Sequence, residues 1–185
     1  LKYFDINFPI EISTFSDIPG STGLGSSSSF AVGLINAISA LIKKKLSKKK
    51  IAEIAASIEI DKLKRKIGVQ DHYSAAIGGL NLLNFKKNSL VEIYKIRKHS
   101  FRKIQKFEKK IVLVFTKQTR NASEILSKQY KPTSSQVKDL TLMKNEVLKF
   151  KNFFLSKSLD VKIFGKMLTN QWKLKKKVNS NVTNS

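Results

Sequence analysis

Three glycines and five serines fall within ten residues, G-S-T-G-L-G-S-S-S-S from Gly20 to Ser29, and a thirteen-residue, mainly apolar run (Phe30–Ile42) follows directly. Glycine accepts positive φ and lets a ligand come close to the backbone. A loop of that kind turning into a helix aims several unpaired N–H groups at one spot, where the helix dipole adds positive potential. The chemistry this suits is the holding of a phosphate. Serine hydroxyls alongside can complete the cradle or ligate Mg²⁺, a hard cation that takes oxygen ligands. Further on stands a carboxylate, Asp71 in G-V-Q-D-H-Y. Within reach of a hydroxyl, such a group can orient it and accept its proton. The loop is not a Walker loop, which needs lysine where Ser26 or Ser27 stands, nor is it the G-x-G-x-x-G of a dinucleotide fold. A flexible Gly/Ser linker would not be wedged between a period-two segment and an apolar helix.

The surrounding elements must place these groups. Ile10–Asp17 (IEISTFSD) alternates apolar and polar residues, which predicts a strand with one buried face. A helix is expected from about Ser27 to Ile42. A second follows in SKKKIAEIAASIEI, with an apolar stripe at Ile51, Ile54, Ala55 and Ile58 and Ser47 as its N-cap. A short helix is expected around Asp71–Ala76, stopped by Gly78 and Gly79. LNLLNF and LVEIYKI read as two strands joined by the polar turn Lys86–Ser89. The charged, weakly patterned segment Lys98–Lys110 suggests a domain boundary, and Ile111–Thr116 (IVLVFT) a buried strand. RNASEILSKQY predicts a short helix, broken after it by Pro132. Two amphipathic helices joined near Ser158 complete the chain. Helices, strands and a hairpin in this order imply an α+β architecture in two layers.

Bulk composition narrows the classes. The 185 residues are 41% hydrophobic, enough for a packed core. No window of eighteen uninterrupted apolar residues exists, so a membrane-spanning helix is not expected. The absence of cysteine removes disulfides and thiolate metal sites and fits a cytoplasmic protein. The formal charge of +23 would suit a nucleic-acid partner. However, 32 of the 36 basic residues are lysine, spread from Lys2 to Lys177, whereas base readout and phosphate clamping favour arginine's fork. A solvated lysine surface is the reading preferred here, with no nucleic acid and no membrane as partner.

The text P-G-S-T-G-L-G-S-S-S-S, Pro19–Ser29, closely resembles the central phosphate-binding motif of the GHMP kinase superfamily, which includes galactokinases, homoserine kinases and mevalonate kinases. IEIDKLKRKIGVQDHYSAAIGGLN (Ile58–Asn81), LVFTKQTRNASEIL (Leu113–Leu126) and NQWKLKKKV (Asn170–Val178) look like its D-glycero-D-manno-heptose 7-phosphate kinase branch. The resemblance implies MgATP-dependent phosphorylation of a hydroxyl on a small sugar or sugar phosphate. In that branch the acceptor is the anomeric hydroxyl of a heptose 7-phosphate. It implies that Pro19, Gly20, Ser21, Gly23, Leu24, Gly25, Ser26, Ser27 and Ser28 form the ATP-phosphate loop. Ser27 matches a Mg²⁺-ligating serine, Glu59 a second Mg²⁺ ligand, and Asp71 the base or acceptor-orienting acid.

Each residue has a plainer alternative. Asp71 could simply cap a helix, and Glu59 could be an exposed acid opposite lysines. His72 reads as a neighbour on the helix, with only His99 left as a metal partner. Arg120 could hold a sugar phosphate or pair with Glu124 one turn along. Trp172 could stack on a ligand or fill a core. The family's N-terminal acceptor-binding motif and its glycine-rich C-terminal motif do not occur here. The expectation is therefore the middle of a longer chain: residues 1–105 as an N-terminal ATP-binding domain incomplete at its start, and 106–185 as a C-terminal domain incomplete at its end. This chain alone is then expected to be inactive. The competing functions are a basic nucleic-acid-binding module and an inactive kinase relative. The glycine–serine loop argues against the former, and the presence of Ser27 and Asp71 against the latter.

Overall fold

The computed structural model describes residues 1–18, 20–96, 101–115, 117 and 134–178. Contacts divide it into two units, each described here by itself. The first is built on Leu1–Gly79, and the second on Leu80–Val114 together with two C-terminal helices. The division between Gly79 and Leu80 leaves the sequence-based boundary at residues 105 and 106 inside the second unit.

Among the described residues the first unit holds three α-helices, α1 (Ser26–Leu41), α2 (Lys48–Ser57) and α3 (Gln70–Ile77). Ser47 caps α2 as its position predicts, its hydroxyl accepting the Lys50 amide at 3.2 Å. That cap stabilises by about 1 kcal/mol. The helix ends in a π turn, Ile58–Lys62, closed by the Leu63 amide donating to the Ile58 carbonyl. Val32 and Ile35 of α1 pack on Ile51, Ile54 and Ala55 of α2, with Phe4, Leu46, Ile58 and Ala76 around them. Fully burying a side chain of that size contributes roughly 1.5–3 kcal/mol. Gly78, with φ of 67°, ends α3 where the pair of glycines was expected to.

In the second unit, β1 (Asn81–Phe85) and β2 (Val91–Lys95) pair antiparallel, Leu83 opposite Ile93. Helices α4 (Phe101–Glu108), α5 (Ser134–Leu155) and α6 (Val161–Val178) complete it. Asp160 starts α6, its Oδ1 accepting the amides of Lys162 and Ile163. Helices and an antiparallel hairpin make the architecture α+β. No helix among the described residues is long and apolar enough to cross a membrane.

Two expected strands do not form. Ile10–Asp17 carries no strand structure, with Ile12 and Phe15 exposed, the latter almost wholly. Ile111–Phe115 likewise has none, and Val112, Leu113 and Val114 are each more than two-thirds exposed. A strand exists only as half of a hydrogen-bonded pair. Among the described residues the sole pairing is β1 with β2, so neither segment has the neighbour its pattern calls for. Within the charged segment where a boundary was expected lies α4, strongly amphipathic, with Phe107 turned inwards. The expected helix at 121–130, together with Arg120, lies outside the described residues.

Candidate active site

The glycine–serine loop leads into α1 through two glycines in left-handed conformation, Gly23 (φ 79°) and Gly25 (φ 72°), Gly25 being the N-cap. Ser29 donates its amide to the Gly25 carbonyl at 2.9 Å and so closes the first turn. The amides of Ser26, Ser27 and Ser28 lie ahead of that bond and have no acceptor within the helix. Thr22 adds a buried hydroxyl with no hydrogen-bond partner. Ser21 also takes positive φ, at 60°. Gly20, Gly23, Leu24 and Ser27 are exposed, while Ser28 turns its hydroxyl inwards and is buried. Pro19 lies outside the described residues.

Asp71 comes to this loop. A Cβ placed on Gly25 would stand 3.4 Å from Asp71 Cβ and Cγ and 3.5 Å from its Oδ2. The carboxylate thus lies against the N-terminal end of α1. Asp71 does not cap its own helix: Val69 is the N-cap of α3, and no side chain bonds there. One carboxylate oxygen takes a long 3.4 Å bond from Gln70, and the group is otherwise open to solvent. Its place in the first turn of α3 adds the favourable end of a helix dipole. The loop and the acid, about fifty residues apart in sequence, are therefore neighbours in space.

Glu59 is neither exposed nor facing lysines, as the plain alternative had it. It is buried at 3% exposure within the π turn and surrounded by donors. Arg65 Nη1 donates to Oε1 at 2.7 Å, His72 Nε2 meets Oε2 at 2.7 Å, and Ser28 Oγ donates to Oε2 at 3.4 Å. His72, read from sequence as a helix neighbour, is wholly buried at the centre of this cluster. Its Nδ1 has no partner. The reason for the correction is tertiary, since His72 meets residues 13 and 44 positions away in the chain. A sequence signal did exist. Glu59 continues the buried row Ile51–Ala55 at spacing four, where an acid demands a partner.

As a cation site, the oxygen donors Ser27 and Asp71 are exposed and suit a hard ion. Glu59 is buried, with three donors meeting its two oxygens, and is less open to an ion than Ser27 or Asp71. Among the described residues, no three acids or histidines gather where they could hold a metal by themselves. Trp172 is partly exposed on α6.

Residues 1–79 match the profile of the GHMP kinases N terminal domain. The chain is 32% identical over 174 residues to a D-glycero-alpha-D-manno-heptose 7-phosphate kinase of Campylobacter jejuni, covering 92% of this chain and 50% of that protein. It is 35% identical over 80 residues to a mevalonate kinase of Saccharolobus solfataricus, covering 43% of this chain and 25% of that protein. The chain thus spans about half the length of the heptose phosphate kinase and a quarter of the mevalonate kinase. No solved structure gives a significant match.

Proposed function

From the match of residues 1–79 to the GHMP kinases N terminal domain, we propose that this chain serves a cytoplasmic, ATP-dependent phosphotransferase acting on a sugar hydroxyl. The acceptor proposed is the anomeric hydroxyl of a heptose 7-phosphate or a related sugar, following the relative that is similar over nearly the whole chain. The observation that carries the reading is the approach of Asp71 to Gly25, which brings a carboxylate to the helix end whose free amides suit a phosphate.

Phosphoryl transfer asks little covalent help of a protein. It needs the terminal phosphate and the attacking hydroxyl held in line, and negative charge offset. The amides of Ser26, Ser27 and Ser28, with the Thr22 hydroxyl beside them, would hold the phosphates. Asp71 would hydrogen-bond the acceptor hydroxyl and take its proton as the new bond to phosphorus forms. Ser27 would be the protein's ligand to Mg²⁺, which when bound offsets phosphate charge. Residues 1–105 would then form the ATP-binding domain and residues 106–185 a second domain.

The test is ATP consumption over a panel of free and phosphorylated sugars, with the complete reading frame expressed. Asp71→Ala is expected to lower kcat by about 10²–10⁴ while leaving nucleotide affinity within about twofold, the signature of an acceptor-side group. Unchanged turnover would remove Asp71 from the reaction. Failure of every sugar would remove the acceptor class.

A further inference from the structure

The cluster around Glu59 takes no part in the proposed transfer, yet it joins the same two helices that bring loop and acid together. His72 follows Asp71 on α3, and Ser28 stands three residues beyond Gly25 on α1. A bridge from Ser28, by a long 3.4 Å bond, through Glu59 to His72 at 2.7 Å therefore joins the same two helices as the Gly25–Asp71 approach. Resting on the reading of this cleft as a nucleotide site, we propose that His72 is a positioning residue: its Nε2–H clamps Glu59, Glu59 holds Ser28, and the pair of bonds keeps Asp71 over Gly25.

The direction of the His72 bond follows from its two nitrogens. Nδ1 is buried without a partner, so a proton there would be an unmet donor. With the ring proton on Nε2, Nδ1 is only a bare acceptor, and Nε2 donates to Glu59 Oε2 at 2.7 Å. The grouping is not a nucleophile relay. Serine and carboxylate both meet Nε2 here, whereas a relay gives each its own ring nitrogen. Ser28 is also buried, away from any substrate. Arg65 stands apart in role: it offsets the Glu59 charge from a half-exposed position and reaches neither α1 nor α3 through its side-chain bond.

Two measurements on the 185-residue chain separate positioning from mere support. One is the nuclear Overhauser contact between the Gly25 Hα and Asp71 Hβ protons. The other is the affinity for a fluorescent ATP analogue with Mg²⁺, read well below the melting temperature so that only folded protein counts. His72→Leu is expected to abolish the contact and, by freeing the first turn of α1 that Glu59 holds through Ser28, to weaken nucleotide binding about tenfold, the loss of one hydrogen bond to a charged group. His72→Gln, which offers an N–H at similar reach, is expected to keep both within about twofold. Arg65→Met is expected to lower the melting temperature while leaving contact and affinity in place. If His72→Leu does not fold, His72→Asn, whose shorter amide cannot span to Glu59, gives the same comparison. Retention of the contact and of affinity in the Leu or Asn variant, with only the melting temperature lowered, overturns the proposal. If the wild type binds no nucleotide while the contact responds as described, the nucleotide reading falls and the placement of Asp71 by His72 stands.

Discussion

At the centre of the first unit lies a carboxylate, Glu59, ringed by a guanidinium, an imidazole and a hydroxyl. At the centre of the second lies an aromatic ring: Phe107 meets Phe153, Phe154 and Phe164 with centroids 5.0 to 6.1 Å apart. Phe153 and Phe164 also stack on one another at 5.7 Å. The two arrangements hold their helices by different means. Rings packed edge to face gain from area and tolerate small shifts, because dispersion has no sharp direction. A buried carboxylate shared by three donors tolerates little movement, since each bond depends on angle and distance. In the first unit Asp71 stands 3.4 Å from where a Cβ on Gly25 would lie, the placement on which the proposed transfer depends. Directional bonding sits where position matters, and apolar packing where holding together suffices.

The comparison can be broken most forcefully at Phe107. Phe107→Ala removes the ring shared by three others, with an expected cost of about 3–5 kcal/mol. Amide hydrogen exchange in α5 and α6 is expected to quicken while exchange in α1 to α3 stays near its wild-type rate. Equal quickening in both units would show that the two centres are not separate. Gly25→Ala acts next, on the first unit. The left-handed φ and the new methyl 3.4 Å from Asp71 would cost about 1–2 kcal/mol. Nucleotide affinity is expected to fall about tenfold with α4 to α6 untouched, a result that titration and exchange can check together. An unchanged affinity would mean that the loop yields, contrary to its assigned stiffness.

The smallest effect belongs to the hairpin. Hydrogen bonds from Lys86, and then from Asn84, hold the exposed Glu92 carboxyl below its ordinary value. A folded value below the unfolded one of about 4.3 means that this contribution is present above that pH. It is lost as the pH falls through the lower folded value. The protection factors of the β1 and β2 amides, which remove the intrinsic pH dependence of exchange, are therefore expected to fall slightly on acidification through that window. The Glu92→Gln variant should show no such inflection.

What the sequence announced and what it withheld divide along physical lines. The Ser47 cap, the start of α1 after Gly25, the stop at Gly78 and the turn between β1 and β2 all depend on residues within a few positions of each other. Each could be read locally. The Ile10–Asp17 and Ile111–Thr116 segments show the limit of that method. Alternation or an apolar run announces a surface that wants a partner, and not the partner itself. His72 was missed for a related reason, as nothing within four residues tells that its ring faces a buried acid. Glu59 gave a clue in its place on the apolar row of α2, but only the fold reveals the three donors that answer it. The loop was legible as glycine turns leading into a helix. Its closeness to Asp71 was not, because α2 and the π turn lie between them.

The complete satisfaction of Glu59 has a consequence for anyone who would redesign this domain. Removing Arg65 or His72 singly leaves a buried acid short of a donor, which is costlier than never having placed one there. Exchanging Glu59, Arg65 and His72 together for a well-fitted apolar trio is the gentler edit, although it forfeits the angular stiffness. Thermal tolerance and fidelity of placement can therefore be dialled in opposite directions at a single location. A library that varies these sites one at a time would never encounter that option.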